Sequence, residues 1–340
     1  AAAAPVPDHA MTPPDQPPLP PPAEWAPHAG LWTAWPSHAE LWEEELAPAR
    51  AAVGVMVAAL AQGEPVTVLA ATPEAQAHAR AALAGVPGAT VIAQAFGDIW
   101  LRDTGAIIRG DGVACGFRFN GWGGKYCLPG DAEVAGAMAR SLGLPFVAHD
   151  WVLEGGAIDG DGTGLAVTTE ECLLNPNRNP AMDRAEVEAR LQADLGLTRI
   201  LWLGHGLKGD HTDGHVDNLA RFVAPGVLAL PVADGPDDPN AGVYADARAR
   251  AGAAGLRIVD MPSPGLVESD GEPVAASYMN FIIGNAAVVV PQYDRPNDAA
   301  AIRALEALFP GRRVVGVDSR ALLTGGGSFH CITQQVPRLG

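Results

Sequence analysis

The chain has 340 residues, 48% of them hydrophobic and 18% charged, which is enough for one large domain or two ordinary ones with a sizeable core. Its formal net charge of −17 disfavours nucleic-acid backbones and anionic membranes as partners, because both are negative. No apolar run approaches the ~18 residues that a membrane helix needs, and no intact signal peptide is recognisable, so we expect a protein that does not span a membrane.

The four cysteines do not indicate a disulfide framework or a structural zinc site, because they are few and lack C-x-x-C spacing. A reducing, cytoplasmic setting fits this cysteine usage. Cys115 and Cys172 lie in apolar, strand-like stretches and are expected in the core. Cys127 has no partner motif, and Cys331 follows a glycine-rich segment.

Residues 1–22 are rich in alanine and proline and end in PPLPPP, a composition typical of disorder or of polyproline II. We therefore expect a disordered tail over residues 1–22 and a single folded domain over residues 23–340.

Within the predicted domain, an apolar strand, an amphipathic helix and a second apolar strand follow one another five times. Most of these helices begin with Asp, Thr or Pro, which are good start signals. The alternation predicts an α/β fold, either an open doubly wound sheet or a closed radial arrangement of five similar units. The strand, helix and strand of the units cover 67–71, 72–83 and 89–94; 112–119, 131–142 and 145–150; 164–169, 183–196 and 198–203; 226–231, 237–255 and 256–261; and 286–292, 295–309 and 312–318.

Polar segments, most of them rich in glycine and acidic residues, follow the second strand of each unit. Because these connections occupy equivalent places, we expect them to converge on one axis and to assemble a site on a rigid scaffold. The segments are GDIWLRDTG (97–105), WVLEGGAIDGDG (151–162), GDHTDGHVDN (209–218), a longer stretch that ends in ASYMNF (276–281), and LLTGGGSFHCITQQ (322–335).

The last of these segments contains a candidate nucleophile, Cys331. Three glycines, Gly325 to Gly327, permit close backbone approach and positive φ, so a cysteine after them can be exposed where a strand cysteine is buried. Free cysteine is more often a small core residue, and the position by itself does not decide between the two roles.

In the segment HTDGHVDN, His211, Asp213, His215 and Asp217 recur at every second position. In an extended strand all four side chains would lie on one face, although Gly214 would break such a strand. One interpretation is a metal site of imidazoles and carboxylates. A second is acid/base catalysis by histidine, with carboxylates that hold a cationic substrate, and a third is a set of ordinary polar loop residues.

Asp103 and Glu154 add carboxylates on matching segments, although each by itself would pass for a turn or capping residue. A cysteine, a histidine and several carboxylates together suit chemistry on a guanidinium group. Two carboxylates can hold this planar cation by paired hydrogen bonds, and the cation in turn favours the thiolate that attacks its carbon. Histidine would protonate the leaving ammonia and then activate water.

These segments resemble the agmatine deiminase family of the guanidine-modifying superfamily, which is related to the bacterial peptidyl-arginine deiminases. The resemblance extends from residue 21 to the C-terminus. It is carried by PPAEWAPHAGLWTAWPSH (21–38), WLRDTG, FNGWGGKY (119–126), LEGGAIDGDG, TTEECLLNPNRNP (168–180), GHVDN, ASYMNFIIGNAAVVVPQYDRPND (276–298) and GGGSFHCITQQVP (325–337).

The resemblance implies a five-bladed α/β propeller, or pentein, with pseudo-fivefold repeats, in which residues 23–340 form one catalytic domain. It implies that Cys331 is the nucleophile, His215 the general acid/base, Glu154 a group that holds or tunes it, and Asp103 and Asp217 the guanidinium clamps. Agmatine would be hydrolysed to N-carbamoylputrescine and ammonia through an amidino-thioether on the cysteine, a step of putrescine biosynthesis and polyamine metabolism. No metal and no organic cofactor is implied.

Agmatine is the favoured substrate, and peptidyl-arginine or another guanidine compound is the alternative. A site for free arginine is expected to offer a cation to the substrate carboxylate, and the segments contain only Arg102 and Lys125 as candidates. The tryptophans of the segments would cover an alkyl chain or a cation, or else belong to the core. The expected further substrate contacts are Trp100, Trp122, Asp213 and Gly327.

The chain departs from the usual pattern of that family at five positions. Ala157 and Asp159 stand where Asn and His are usual, which bears on the positioning of the nearby carboxylate. Ser328 and Phe329 replace Asn and Ile beside the nucleophile and bear on the shape of the pocket, and Ala106 replaces Pro. None of these departures removes a catalytic group.

Two hypotheses from other functional classes stay open. One is a metal-dependent hydrolase built on the alternating histidines and aspartates, and the other is a guanidine-binding protein without activity. The sequence also leaves the oligomeric state open, with a homo-oligomer among the alternatives.

Overall fold

The computed structural model describes residues 17–269 and 271–340. This part of the chain contains five sheets of three or four strands and one small hairpin, joined by helices. In four of the sheets, a short strand runs antiparallel to the central strand, and a helix leads from the central strand to a third, parallel strand. The predicted α/β class is confirmed.

The first sheet also receives the last strand of the chain. Its N-terminal elements are β1 (His28–Ala34), α1 (Ala39–Trp42), α2 (Leu46–Leu60), β2 (Val66–Ala70), α3 (Pro73–Ala82) and β3 (Ala89–Ala93), and its three strands run parallel. Thr72 begins α3 by accepting a hydrogen bond from the Ala75 N–H at 3.1 Å. Pro73 occupies the first turn, where an N–H is not needed.

The second and third sheets follow in chain order. The second contains α4 (Leu101–Thr104), β4 (Ile107–Ile108), β5 (Ala114–Arg118), α5 (Gly121–Gly124), α6 (Val134–Leu142) and β6 (Phe146–Val152). The third contains β7 (Asp159–Gly160), β8 (Leu165–Thr169), α7 (Glu170–Leu173), α8 (Arg184–Leu195) and β9 (Arg199–Leu203). A capping box formed by Asp183 and Glu186 begins α8, because each side chain accepts the backbone N–H of the other residue.

The fourth and fifth sheets complete the chain. The fourth contains β10 (Arg221–Ala224), β11 (Val227–Val232), α9 (Ala241–Ala253) and β12 (Arg257–Pro262), followed by the hairpin strands β13 (Glu268–Ser269) and β14 (Glu272–Pro273). The fifth contains β15 (Ile282–Ile283), β16 (Ala287–Gln292), α10 (Asp298–Leu308), β17 (Arg313–Asp318) and α11 (Arg320–Thr324). The last strand, β18 (Thr333–Pro337), pairs antiparallel with β1. Single 3-10 turns lie at Glu43–Glu45, Asp131–Glu133, Gly155–Ala157 and Val216–Asn218.

Helices of one sheet also pack on a neighbouring sheet. Helix α9 contacts β9, α10 contacts β12, and α2 contacts β16 and β17 of the fifth sheet. The buried apolar side chains of strands and helices form the four hydrophobic clusters between these layers. The contact of α2 with the fifth sheet brings the first and last parts of the described chain together.

Every strand and helix predicted for the five units is present. The largest difference at an end is four residues, for the helix predicted at 237–255 and found at Ala241–Ala253. The sequence analysis missed helix α2, which is apolar around much of its circumference and so lacks an amphipathic pattern. It also missed the short strands β4, β7, β10 and β15, which are too brief for alternation to mark them.

The predicted tail lies mostly outside the described residues, which begin at residue 17. Residues 17–22 run along the surface of the domain, where the Gly110 N–H donates to the Pro20 carbonyl at 3.1 Å. Gly196 approaches the same segment so closely that a Cβ there would lie 2.3 Å from the Pro18 carbonyl oxygen. None of the helices within residues 17–269 and 271–340 has the length and apolar character needed to cross a bilayer.

Candidate active site

The segments predicted to converge do lie together. The α4 turn contacts the 3-10 turn at Gly155–Ala157, which in turn contacts the 3-10 turn at Val216–Asn218. Each of these turns follows the last of the parallel strands of the preceding sheet, and the carboxyl end of a strand is a usual place for functional loops. The turns and the two remaining segments bring together Asp103, Glu154, His215, Asp217, Asn280 and Cys331.

Cys331 lies between α11 and β18 and is only 5% exposed. Asn280 Nδ2 donates a hydrogen bond to its Sγ at 3.0 Å, and Asp217 Oδ2 lies 3.5 Å from the same sulfur. Burial raises the pKa of the Cys331 thiol well above its usual range, and the carboxylates of Asp217 and Asp103 raise it further. The thiol is therefore neutral until a positive charge approaches it.

A cavity of about 230 Å³ opens onto this thiol, and Trp100, Trp122, Asp103 and Gly327 lie on its wall. A Cβ on Gly327 would lie 2.6 Å from Trp100 Cζ3 and 3.1 Å from Cys331 Sγ, so any side chain there would block the inner end. Among the described residues that line the cavity there is no lysine or arginine. A guanidinium group entering it would meet carboxylates and aromatic faces.

Asp103 reaches the inner end of the cavity from α4. Its Oδ2 accepts a hydrogen bond from Trp122 Nε1 at 2.9 Å, and its Oδ1 accepts one from the Gly156 N–H at 2.9 Å. Burial raises the pKa of Asp103, His215 opposes this rise, and Asp217 adds to it. Asp103 is thus a buried carboxylate held by neutral donors, which a cationic ligand would stabilise.

His215 lies behind Asp103 and is 1% exposed, with its Nδ1 3.7 Å from Asp103 Oδ1. Neither ring nitrogen has a hydrogen-bond partner within the described part of the chain. Burial acts to lower the pKa of His215, but Asp103, the Cys172 thiol and Glu154 outweigh it and raise the pKa well above its usual range. The raised pKa favours the protonated ring, which can donate a proton.

Glu154 is completely buried and is positioned by an arginine. Arg178 Nε donates to Glu154 Oε1 at 2.7 Å, while Arg178 Nη1 donates to Asp213 Oδ2 at 2.5 Å. Asp213 also accepts from Lys125 Nζ at 2.6 Å, and it does not line the cavity. Asp213 is thus held in ion pairs that fix the loop which carries His215.

Asp217 is completely buried, and His330 stabilises its negative charge. His330 Nδ1 lies 2.7 Å from Asp217 Oδ2, and His330 Nε2 lies 2.9 Å from Glu24 Oε2. Burial acts to raise the pKa of Asp217, but the bond to His330 lowers it overall. The other oxygen, Asp217 Oδ1, has no hydrogen-bond partner within the described chain, so it is free to accept from a ligand.

Gly156 marks the point where three of these groups meet. A Cβ placed on it would lie 2.6 Å from His215 Nδ1, 2.9 Å from Asp103 Oδ1 and 3.1 Å from Asp217 Oδ2. A side chain at this position would displace at least one of the three groups. The glycine that follows Gly155 in the LEGG motif is therefore required by the site, for space rather than for an unusual φ.

The four alternating residues His211, Asp213, His215 and Asp217 do not share a strand face. The backbone turns at Asp213, with a φ of 61°, and at Gly214, with a φ of 85°, and a 3-10 turn follows. As a result His211 is exposed at the outer wall of the cavity, whereas His215 and Asp217 are buried. The common face that an extended strand would give is therefore not formed, and the break expected at Gly214 also includes Asp213.

Two other groups of ligand atoms come within 4.8 Å of one another in the described chain: Glu154, Cys172 and His215, and Glu24, Asp159 and His330. Each group already contacts a guanidinium of the protein. Arg178 binds Glu154, and Arg221 binds both Glu24 and Asp159. A metal ion at either place would be repelled by a fixed arginine, so neither geometry favours a metal centre.

Comparison with known proteins identifies the family. The family model described as Porphyromonas-type peptidyl-arginine deiminase matches residues 21–337. The chain belongs to this family. Agmatine deiminase from Stutzerimonas stutzeri is 41% identical to it over 93% of this chain and 95% of that protein.

Solved structures of similar proteins have the same fold. The agmatine deiminase of Enterococcus faecalis, described as catalysing its reaction, is 31% identical with a TM-score of 0.87 over 93% of this chain and 95% of that one. A C. jejuni agmatine deiminase with substrate bound is 27% identical with a TM-score of 0.88 over 94% and 97% of the two chains. The resemblance inferred from the motifs is confirmed.

The departures of this chain from the usual pattern of the deiminase family lie away from the cavity wall. Asp159 accepts from Arg221 Nε at 2.9 Å and from the Phe222 N–H at 2.6 Å, so it belongs to a separate ion network. Ser328 binds the Ser319 hydroxyl, and Phe329 is fully buried in the core. Neither residue is among those that line the cavity.

Several residues of this deiminase site were missed by the sequence analysis. Asn280, Arg178, His330 and Glu24 each contact a predicted site residue or the histidine beside it. All four lie in segments that carried the family resemblance, but no spacing rule connects residues so far apart in sequence. His330 had a detectable signal, because it precedes the nucleophile in the motif FHC.

Proposed function

We propose that this protein is an agmatine deiminase, which hydrolyses agmatine to N-carbamoylputrescine and ammonia. The observation that carries the proposal is the meeting of His215, Asp103 and Asp217 around Gly156, next to the Cys331 thiol at the end of the cavity. The names of the relatives, at 41% identity and below, support the same reaction.

The negative charge of the cavity wall attracts a cationic substrate. The cavity wall contains carboxylates and no lysine or arginine within the described chain, and the whole protein has a net charge of −17. Asp103 and Asp217 are placed to hold the guanidinium, because one oxygen of Asp217 has no partner and Asp103 has only neutral donors. Trp100 and Trp122 would cover the alkyl chain.

The bound cation then activates the nucleophile. Its positive charge lowers the pKa of the Cys331 thiol, which burial and the two carboxylates hold high in the free protein. The Asn280 amide N–H, 3.0 Å from the sulfur, stabilises the thiolate as it forms. The thiol gives its proton to solvent, and the resulting thiolate attacks the guanidinium carbon and forms a carbon–sulfur bond.

His215 moves the protons of both half-reactions. Its protonated ring donates to the amino group that leaves as ammonia, which leaves an amidino-thioether on Cys331. The neutral ring then takes a proton from water, whose oxygen attacks the same carbon. The carbon–sulfur bond breaks, the second proton of that water passes to the departing sulfur, and N-carbamoylputrescine is released with Cys331 again a thiol. Glu154, fixed by Arg178, holds the positive charge on His215 during the cycle.

We propose that residues 23–340 form one catalytic domain, a five-bladed α/β propeller. The five sheets, the packing of α9 and α10 on the preceding sheet, and the contact of α2 with the fifth sheet support a closed ring. All four cysteines are free thiols, which supports a reducing, cytoplasmic setting. A small guanidine cation is the proposed partner, and a homo-oligomer stays compatible with the sequence.

The proposal is tested by ammonia release from agmatine, free arginine and a peptidyl-arginine, with the Cys331→Ser variant as the inactive control. Agmatine should be preferred over arginine by about 10³ in kcat/KM, because the arginine carboxylate would enter a field of buried carboxylates that costs roughly 4 kcal/mol per unit-charge pair. Equal kcat/KM values for arginine and agmatine would exclude agmatine as the preferred substrate.

Peptidyl-arginine is the second candidate substrate, and the description of the matching family favours it. A clear preference for peptidyl-arginine in the same assay would change the substrate and keep the chemistry at Cys331. Loss of activity on chelation with EDTA, reversed by zinc or manganese, would instead indicate a metal-dependent hydrolase.

A further inference from the structure

The cavity wall contains a second carboxylate, Asp98, which the proposed mechanism does not use. It belongs to the segment that follows β3, two residues before Trp100. Its Oδ1 accepts a hydrogen bond from Trp42 Nε1 at 3.0 Å and from the Ile99 N–H at 2.8 Å. Its Oδ2 accepts from Trp100 Nε1 at 2.8 Å. These donors are neutral groups.

The charge of this carboxylate is not balanced within the described chain, because Asp98 forms no ion pair there with a lysine, arginine or histidine. Burial raises the pKa of Asp98, and the hydrogen bonds oppose the rise only in part. A bound cation would remove this penalty. Oδ2 accepts a single hydrogen bond, so it keeps a lone pair for a further donor.

Trp100 connects this carboxylate with the nucleophile. At one edge its Nε1 donates to Asp98. At the other edge its Cζ3 lies 2.6 Å from the point where a Cβ on Gly327 would stand, and Cys331 Sγ lies 3.1 Å from that same point. Asp98 and the thiol thus lie at opposite edges of one indole, on the wall of one cavity.

We propose that Asp98 binds the terminal ammonium of the substrate while its guanidinium lies at Cys331 and its alkyl chain lies along Trp100. This inference rests on the proposed deiminase function and names the group that selects a diamine-like substrate. Asp98 and Asp103 are the two carboxylates among the described lining residues, and Asp103 is placed at the guanidinium end. Free arginine carries an ammonium at the same position but adds an α-carboxylate beside it, which Asp98 repels.

The test compares agmatine with butylguanidine, which lacks the terminal amine, in the wild-type protein and in Asp98→Asn. The wild type should prefer agmatine by about 10- to 100-fold in kcat/KM, the scale of one hydrogen bond to a charged group. Asp98→Asn should reduce this preference to less than about threefold and leave the butylguanidine value within a few-fold of wild type. Asp98→Glu, which keeps the charge, should retain part of the preference.

Asp131→Asn is the matched control. Asp131 Oδ1 accepts from the Gly97 and Asp98 N–H groups at 2.8 and 3.3 Å, so it holds the same loop without lining the cavity. This variant should change kcat/KM for agmatine and for butylguanidine by equal factors. If Asp98→Asn lowered kcat/KM for agmatine and butylguanidine by the same factor, the proposal would be overturned, since Asp98 would then act only by orienting Trp100. A wild-type protein without preference for agmatine would overturn it as well.

A binding measurement separates this inference from the proposed function. Calorimetry in the Cys331→Ser background needs no turnover, and it should give the same 10- to 100-fold preference for agmatine, lost on adding Asp98→Asn. If neither compound released ammonia from the wild type, the deiminase proposal would fail. The calorimetric ratio would still decide whether Asp98 binds an ammonium group, and a ratio near one would reject it.

Discussion

Two groups of buried charges lie back to back in this molecule, and His330 contacts both. The catalytic cluster consists of Asp103, Glu154, His215, Asp217 and Cys331. Within the described chain its oxygens Glu154 Oε2 and Asp217 Oδ1 and both ring nitrogens of His215 have no hydrogen-bond partner. A buried polar atom without a partner costs stability unless a ligand supplies one.

The buried ion network consists of Glu24, Asp159, Arg102, Arg221 and His330. Every carboxylate oxygen in it accepts a hydrogen bond: Glu24 from Arg221, His330 and the Ile283 N–H, and Asp159 from Arg221 and the Phe222 N–H. The charges of this network are paired with one another, although Arg102 Nη2 has no hydrogen-bond partner within the described residues. The catalytic cluster instead keeps two carboxylate oxygens without a partner, which a bound cation can supply. The comparison predicts that substitutions in the cluster affect activity and that substitutions in the network affect stability.

The largest effect on activity is expected for Cys331→Ser. A hydroxyl has a much higher pKa than a thiol and should not attack a guanidinium carbon, so kcat/KM should fall by more than about 10⁴-fold. The free energy of unfolding should change by less than about 1 kcal/mol. Cys127→Ser, at an exposed position off the cavity wall, is the control and should keep full activity. Residual activity of a few per cent in Cys331→Ser would exclude a covalent mechanism.

His215→Ala should lower kcat by about 10²–10⁴-fold, the usual range for a lost acid/base group. Because both ring nitrogens lack partners in the free protein, thermal stability should not fall in proportion. His205→Ala serves as the control, since that side chain is 80% exposed and contacts Glu171 at the surface. Similar kinetics for the two variants would remove His215 from the reaction.

Asp103→Asn should separate activity from stability. Loss of the charge opposite the guanidinium should cost about 3 kcal/mol of transition-state stabilisation, or about 10²-fold in kcat/KM. Because burial raises the pKa of Asp103, the folded wild type loses stability as pH rises from the ordinary aspartate range through the folded pKa.

The Asn variant lacks that pH-dependent loss. It gives up one acceptor for the Trp122 or Gly156 N–H, so at neutral pH its free energy of unfolding should lie within about 2 kcal/mol of wild type. Denaturant unfolding across pH 4 to 8, beside steady-state kinetics, measures both effects. A variant with wild-type KM and kcat would show that Asp103 does not clamp the substrate.

Glu24→Gln should show the opposite behaviour, with stability reduced and chemistry retained. It leaves Arg221 and His330 facing a neutral amide, and breaking a buried pair of this kind costs about 3 kcal/mol. Burial acts to raise the pKa of Glu24, but Arg221, His330 and Arg102 hold it far below its usual range.

The stability contributed by Glu24 is therefore present above the ordinary glutamate pKa and is lost only as pH falls through the folded value. The difference in melting temperature between wild type and Glu24→Gln should persist at neutral and mildly acidic pH and narrow in strong acid. If the variant melted like wild type but lost activity, Glu24 would act on the reaction through His330 and Asp217, and the separation of the two charge groups would be wrong.

The smallest effect is expected for Asn280→Ala, which removes the donor to the Cys331 sulfur. One hydrogen bond to a charged group is worth about 1.5 kcal/mol, so kcat/KM should fall about 10-fold. The pKa that governs alkylation of Cys331 by iodoacetamide should rise, because the thiolate loses a stabilising donor. Asn297→Ala, whose amide binds Asp234 and the Ser263 carbonyl, is the control and should leave the alkylation profile unchanged.

Sequence motifs and residue spacing predicted most strands and helices of the five units and two residues of the site. Hydrophobic periodicity located the strands and helices of all five units, because long segments with a buried face carry a clear pattern. Helix α2 and the two-residue strands were not predicted, because their formation depends on packing between sheets rather than on a local hydrophobic pattern. The motifs also assigned Cys331 and Asp103 to one site, because both residues lie in polar segments at equivalent places in their units.

The sequence by itself determined the α/β class, the family and the residue types of the catalytic cluster, because these depend on local patterns and on motifs read in chain order. Only the tertiary structure decided which charges are compensated. It assigned Asp213 to ion pairs with Lys125 and Arg178, and it joined Asp217 to Glu24 through His330. Electrostatic interactions depend on distance and burial, and residues 193 positions apart, such as Glu24 and Asp217, acquire both only when the chain has folded.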